Sequence, residues 1–118
     1  MRIVKYTLAA ATALLLTACA EKTSTTYYWG EYQPSLYSYY KHTAAPEKEI
    51  ETLNAVIQQA NAKNKPVAPG LHAQLGLLYV NTGHPDLAFR QFTAEKTAFP
   101  ESSFYMDFLM RNKQGAAQ

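Results

Sequence analysis

The stretch Pro69 to Ser103, PGLHAQLGLLYVNTGHPDLAFRQFTAEKTAFPESS, constrains the chain most. Leu75, Leu78 and Tyr79 stand at i, i+3 and i+4 and share one helical face, which Leu71 extends by a turn. Gly76 falls inside that helix, where glycine costs about 1 kcal/mol relative to alanine. The compensation expected for it is close approach of a second helix. Ala88 supplies the small residue at that contact, and Phe92 fills the groove one turn later. Asn81-Thr82-Gly83-His84-Pro85 is turn chemistry. Gly83 suits a left-handed helix end, and Pro85 opens a new helix, with Asp86 favoured by the dipole of its first turn.

Ala88 follows Tyr79 by nine residues, Phe92 comes four later and Pro100 eight after that. Leu75, Gly76, Tyr79, Ala88, Phe92 and Pro100 at this spacing resemble the tetratricopeptide repeat, a helix-turn-helix unit of about 34 residues. Two positions depart from that pattern. His72 stands where the repeat carries a bulky aromatic, and Glu95 where it carries a small residue. An ordinary amphipathic hairpin is the alternative reading.

Residues 1–18 form a targeting segment. Arg2 and Lys5 give a positive start, and Tyr6 to Leu16 an apolar core too short to span a bilayer. Leu16-Thr17-Ala18-Cys19 resembles the lipobox of bacterial lipoproteins. That resemblance implies cleavage before Cys19, diacylglycerol on its thiol and acylation of the new amino terminus. An ordinary signal peptide with a chance cysteine is the alternative. Cys19 is the sole cysteine, so no intramolecular disulfide can form. Ala20 after the cysteine implies, by the same resemblance, sorting to the outer membrane, facing the periplasm. Several acyl chains make such anchoring stable, where one binds only marginally.

Removal of Arg2 and Lys5 leaves nine basic residues against nine acidic ones. A neutral mature chain argues against nucleic acid as a partner. Residues 19–26 read as the lipidated end and a polar linker. The seven residues from Ala20 to Thr26 reach at most roughly 25 Å, so any partner must come to the membrane face that holds the chain.

Tyr27, Tyr28, Trp29, Tyr32, Tyr37, Tyr39 and Tyr40 put seven aromatics into fourteen residues. Three readings compete: hairpin core, a protein-binding surface, since Tyr and Trp are enriched at hot spots, or a membrane-interface belt. Tyr28, Trp29, Tyr32, Tyr37 and Tyr40 are the candidate partner-binding residues. From Pro34, Leu36, Tyr39 and Tyr40 are expected on one face. The next helix, about 46–62, carries Ile50, Leu53, Val56, Ile57 and Ala60 as its apolar stripe. Glu47, Glu49 and Glu51 read as its solvated start. After Pro100, a capping helix is expected to bury Phe104, Phe108 and either Leu109 or Met110, ending near Asn112. Residues 113–118 read as a frayed tail.

The expected fold is all-α: two stacked helical hairpins and a capping helix over residues 27–112. Tyr28-Trp29-Gly30, Leu36-Tyr37, Tyr39-Tyr40-Lys41, Pro69-Gly70, Glu95-Lys96, Phe99-Pro100-Glu101-Ser102 and Met106-Asp107 resemble a family of small bacterial lipoproteins of unknown function. Such proteins tend to be encoded beside a lipoprotein similar to the curli-secretion channel subunit and beside a third small lipoprotein. The resemblance implies an envelope assembly with neighbouring lipoproteins and supplies no catalytic residue.

His42, His72 and His84 show no metal-ligand spacing, and no Gly-x-Ser-x-Gly, phosphate loop or dinucleotide fingerprint occurs. The expectation is a non-catalytic scaffold without cofactor, metal or small-molecule substrate. A pilotin-like or peptidoglycan-synthase-regulating lipoprotein and a membrane-surface structural protein are the alternatives.

Overall fold

The computed structural model describes residues 1–7 and 25–116. Cys19, the lipobox-like Leu16-Thr17-Ala18 before it and most of the expected linker lie outside the described residues. After a helical stretch at 2–7, five helices follow from Tyr32 onward. They are α1 (Tyr32–Lys41), α2 (Pro46–Ala62), α3 (Leu71–Asn81), α4 (Pro85–Ala98) and α5 (Ser103–Ala116). A 3-10 turn, Pro100–Ser102, leads into α5. The described residues are all-α, with no strand among them and one isolated bridge pairing Tyr28 with Val67. Each helix packs chiefly on its neighbours in the chain.

Helix α3 is the centre of this arrangement. Leu71, Gln74, Leu75, Gly76 and Leu78 are buried, and the rest except Asn81 are half-buried. A helix apolar nearly all round needs cover on more than one side. On one side Leu71, Leu75 and Leu78 join Tyr32, Leu53, Val56 and Ala68 in the first core. On the other, Ala73, Leu77, Tyr79 and Val80 pack against a second core of Ala88, Phe92, Met106 and Leu109.

Gly76 does what its position predicts. A Cβ there would lie 2.7 Å from Cδ1 of Phe92, well inside contact distance. The turn after α3 is a complete Schellman motif: His84 N–H donates to Tyr79 C=O at 2.8 Å, and Gly83 N–H to Val80 C=O at 3.1 Å. Gly83 has φ 80° with open space around its Cβ direction, so backbone conformation alone requires glycine. Pro85 then opens α4 at its first position.

In α2, Leu53, Val56 and Ala60 are buried, flanked by half-buried Ile50 and Ile57. Glu49 departs from the solvated-start reading: it is buried, while Glu47 and Glu51 are exposed. Position 49 lies one turn before Leu53, on the same stripe.

Two faces differ from expectation. Helix α1 begins at Tyr32, and its inner face is Tyr32, Ser35, Leu36 and Tyr39, leaving Tyr40 exposed. Helix α5 turns Met106 and Leu109 inward and leaves Phe104, Tyr105 and Phe108 exposed. Both faces of α5 have helical spacing, so the sequence offers either. The phase is consistent with two local contacts. Ser102 and Ser103 hydroxyls donate to the carbonyls of Phe99 and Pro100, and Lys96 Nζ meets Asp107 Oδ1 at 2.7 Å. Helix α5 continues to Ala116, past the expected end at 112.

Gly76→Ala is expected to destabilise by about 1–2 kcal/mol in urea unfolding. Overpacking against the Phe92 ring outweighs the roughly 1 kcal/mol that alanine gains in a helix. Combining it with Phe92→Leu should recover part of the loss. A Gly76→Ala chain as stable as the parent would show that the contact is not tight.

Candidate functional site

The aromatic segment divides into a packed part and an exposed part. Tyr28 N–H donates to Pro66 C=O at 2.9 Å, and its hydroxyl to Gln59 Oε1 at 2.6 Å. Lys63 Nζ stands 4.8 Å from the centre of the Tyr28 ring. The Trp29 indole stacks on Tyr32, with centroids 6.0 Å apart and planes at 14°. Tyr27 meets Trp29 edge-on at 6.5 Å and Phe99, after α4, at 5.8 Å. The end of the linker is held as well, since Lys65 Nζ donates to Thr25 C=O at 3.4 Å. The segment is thus strapped across the α2–α3 connection to the end of α4.

Tyr32 is the buried member, 5 % exposed, so it serves the core rather than the accessible surface. Its ring end fills the space over Gly70, where an added Cβ would lie 2.7 Å from the hydroxyl oxygen. Burial, then the negative charge of Glu95, pushes the Tyr32 hydroxyl up to about 12.

Glu95 is the residue that sequence reasoning undervalued. It is 3 % exposed, and its Oε1 accepts the Gly70 N–H at 2.7 Å. Gly70, with φ 89°, is the residue that caps the start of α3. In a capping box, a glutamate three positions into the helix reaches back to this N–H. Here Ala73 holds that position, and α4 supplies the carboxylate. The positive end of the α3 dipole favours the charge. A signal was present in the sequence: Ala88, Phe92 and Glu95 at i, i+4 and i+7 put the carboxylate on a core stripe.

Two more cross-links join neighbouring helices. Asn54 Nδ2 donates to the Tyr79 hydroxyl at 3.1 Å, and His72 Nδ1 lies 2.7 Å from Gln91 Oε1. His72 therefore occupies its aromatic-type position with a hydrogen bond to α4. Of the repeat-type residues, Leu75, Gly76, Ala88 and Phe92 are buried and Tyr79 is half-buried. Pro100 is exposed and starts the 3-10 turn rather than filling a core.

Tyr28 and Trp29 are half-buried, whereas Tyr37 and Tyr40 stand 66 % and 73 % exposed on α1. Lys41 Nζ sits 5.8 Å from the Tyr37 ring centre, and Tyr39 meets Tyr40 edge-on at 5.5 Å. The five candidate partner-binding residues are therefore not one surface. Tyr37 and Tyr40 are the accessible pair.

Between α1 and α2 runs an open groove lined by Glu31, Ser35, Ser38, Lys48, Glu49 and Thr52. Burial raises the Glu49 carboxyl above the usual carboxylate range, partly offset by the positive charge of His42. One Glu49 oxygen, Oε1, has no hydrogen-bond partner. Among the described residues no three His, Cys, Asp or Glu side chains form a metal-holding group. No described helix is long and apolar enough to cross a membrane.

A family model described as a domain of unknown function (DUF4810) matches residues 26–109. The chain belongs to that family. The DUF4810 match opens beside Tyr27 and closes at Leu109, the last buried residue among the described side chains of α5, so it takes in the aromatic strap and both cores. Searches of curated proteins and of solved structures find no match.

Substitutions at Glu95 and Glu49 test the two buried carboxylates. Glu95→Ala should cost about 1–3 kcal/mol, because the Gly70 N–H loses its acceptor, and Glu95→Gln should cost less. Equal stability of Glu95→Ala and the parent would remove Glu95 from the capping role. Glu49 carries the opposite sign. A raised carboxyl favours the fold below its unfolded value of 4.5, and that contribution is lost as pH rises through the folded value. Glu49→Gln is therefore expected to raise the melting temperature at pH 7, with the difference shrinking toward pH 4. A difference independent of pH would contradict the assignment.

Proposed function

We propose that this chain is a non-catalytic envelope lipoprotein. In this reading it is anchored through acylated Cys19 at the periplasmic face of the outer membrane and acts as a small protein-interaction scaffold. The partners are envelope proteins, neighbouring lipoproteins first among them. The leader and the Leu16-Thr17-Ala18-Cys19 pattern support the anchor. The neighbour-on-neighbour packing of the helices, with Gly76 against Phe92, supports a tetratricopeptide-like unit as the rigid part.

The observation that carries the scaffold reading is the division of the aromatic segment. Tyr27, Tyr28, Trp29 and Tyr32 are used in packing, while Tyr37 and Tyr40 remain exposed on the outer side of α1 beside Lys41. Tyrosine is among the residues enriched at interaction hot spots. Because the strap holds the chain from Thr25 onward, the tether cannot lengthen by unravelling without losing these contacts. The α1 face therefore stays near the membrane, and a partner rooted in the same membrane meets it most readily.

A photoreactive amino acid at Tyr37 or Tyr40 of the full chain, irradiated in native envelopes, is expected to capture one defined protein. Tyr37→Ala and Tyr40→Ala should each weaken that complex by about 1–2 kcal/mol, roughly tenfold, with the thermal melt unchanged. Capture of lipid alone, or of nothing, at both positions would overturn the scaffold reading.

A further inference from the structure

We propose that the outer face of α5 is a contact between two copies of this chain, related by a twofold axis that pairs the two helices antiparallel. After Pro100, the exposed residues among the described side chains are Glu101, Phe104, Tyr105, Phe108, Arg111 and Asn112. At helical spacing they form one stripe, opposite the Met106 and Leu109 face that closes the second core. Phe104 is 83 % exposed, Tyr105 54 % and Phe108 44 %, and the rings of Tyr105 and Phe108 stack at 6.3 Å with planes at 16°. With Phe104 one helical turn before Phe108 on the same face, the three aromatics make an exposed apolar patch.

The charges at the ends of the stripe select the occupant. Glu101 lies three residues before Phe104, and Arg111 three residues after Phe108. Phe104 with Phe108 and Glu101 with Arg111 are each spaced evenly about residue 106, alike in the inner pair and opposite in charge in the outer one, while Tyr105 has Asp107 as its counterpart. A twofold axis through position 106 sets Phe104 against Phe108 of the second copy. The same axis sets Glu101 against Arg111, twice. A self-complementary patch of this kind is what an isologous interface requires. A second copy sets a fixed cation against each Glu101 and a fixed anion against each Arg111, a registered match that a fluid bilayer surface does not provide. The apolar patch is small against the roughly 1,200–2,000 Å² of a standard stable interface, so the pair is weak in dilute solution. It is favoured where copies share a membrane, which rests on the anchoring proposed above.

The test uses the full chain in its own membranes, with a photoreactive residue at Phe108 and, in a parallel sample, at Tyr105. A covalent homodimer is expected. Glu101→Arg alone and Arg111→Glu alone each place like charges opposite one another and should lower its yield several-fold. The double variant should restore it. The two single variants, tagged differently and expressed together, should pair with each other better than either pairs with itself. All these positions are exposed, so the thermal melt is expected to stay unchanged. Crosslinks only to lipid or to a different protein, or charge reversals that leave the dimer yield unaltered, would overturn the proposal. Concentration-dependent sedimentation of detergent-solubilised chain reads the same pairing without the membrane. Capture at Tyr37 and pairing at Phe108 are separate readouts, so either can fail alone.

Discussion

At Gly76 the backbone of α3 comes into contact with the ring of Phe92, and much of the second core follows from that approach. Glycine in mid-helix costs about 1 kcal/mol, and full burial of a phenylalanine returns about 1.5–3 kcal/mol. The second term wins only if the ring is fully buried, which Phe92 is. With α4 so close, Ala88 fits beneath it, and Met106 and Leu109 of α5 close the remaining side. The Schellman turn and Pro85 aim α4 at this contact, so local chemistry and tertiary packing agree.

The polar interior does a different job. Three buried polar atoms, on Glu49, Gln74 and Glu95, have no partner among the described residues. Each costs free energy, and the cost is greatest for a carboxylate. For Glu95 there is an offset: its other oxygen caps α3 from α4 and so fixes the two helices in register. The aromatic strap adds to the same junction. Tyr32 sits over Gly70, Trp29 stacks on Tyr32, and Tyr27 reaches Phe99. The start of α3 is therefore covered by groups from both ends of the folded region. Glu49 shows no such offset, and its burial gives the α1–α2 groove a carboxyl that is reluctant to ionise.

Because each helix contacts mainly its chain neighbours, α1 and α5 are the two ends of the array. Both end helices expose aromatic side chains. Their chemistry differs: α1 offers tyrosines with a lysine, and α5 offers phenylalanines between an acid and a base. Terminal units of stacked-helix proteins ordinarily present polar outer faces. The two contacts proposed above therefore fall on separate surfaces.

Local patterns determined a good deal. Pro46, Pro85 and Gly83 set helix starts and a stop, α2 spans the range its periodicity predicts, and Gly76 with Phe92 announced the α3–α4 contact. These signals are legible because proline and glycine act on their own backbone, and periodicity acts within one helix. The expected leader and the Cys19 pattern are likewise a matter of sequence alone, and Leu16 to Cys19 lie outside the described residues. What only the tertiary structure decided was the choice between faces. Tyr32 went inward and Tyr40 outward, Met106 joined the expected Leu109 inside in place of Phe104 and Phe108, and Glu95 became a cap for a helix 25 residues away. In α5 both candidate faces are apolar with the same period, so propensity does not separate them. The choice rests on what the neighbouring helix had room to accept, and the 3-10 turn and the Lys96–Asp107 pair are consistent with the resulting phase.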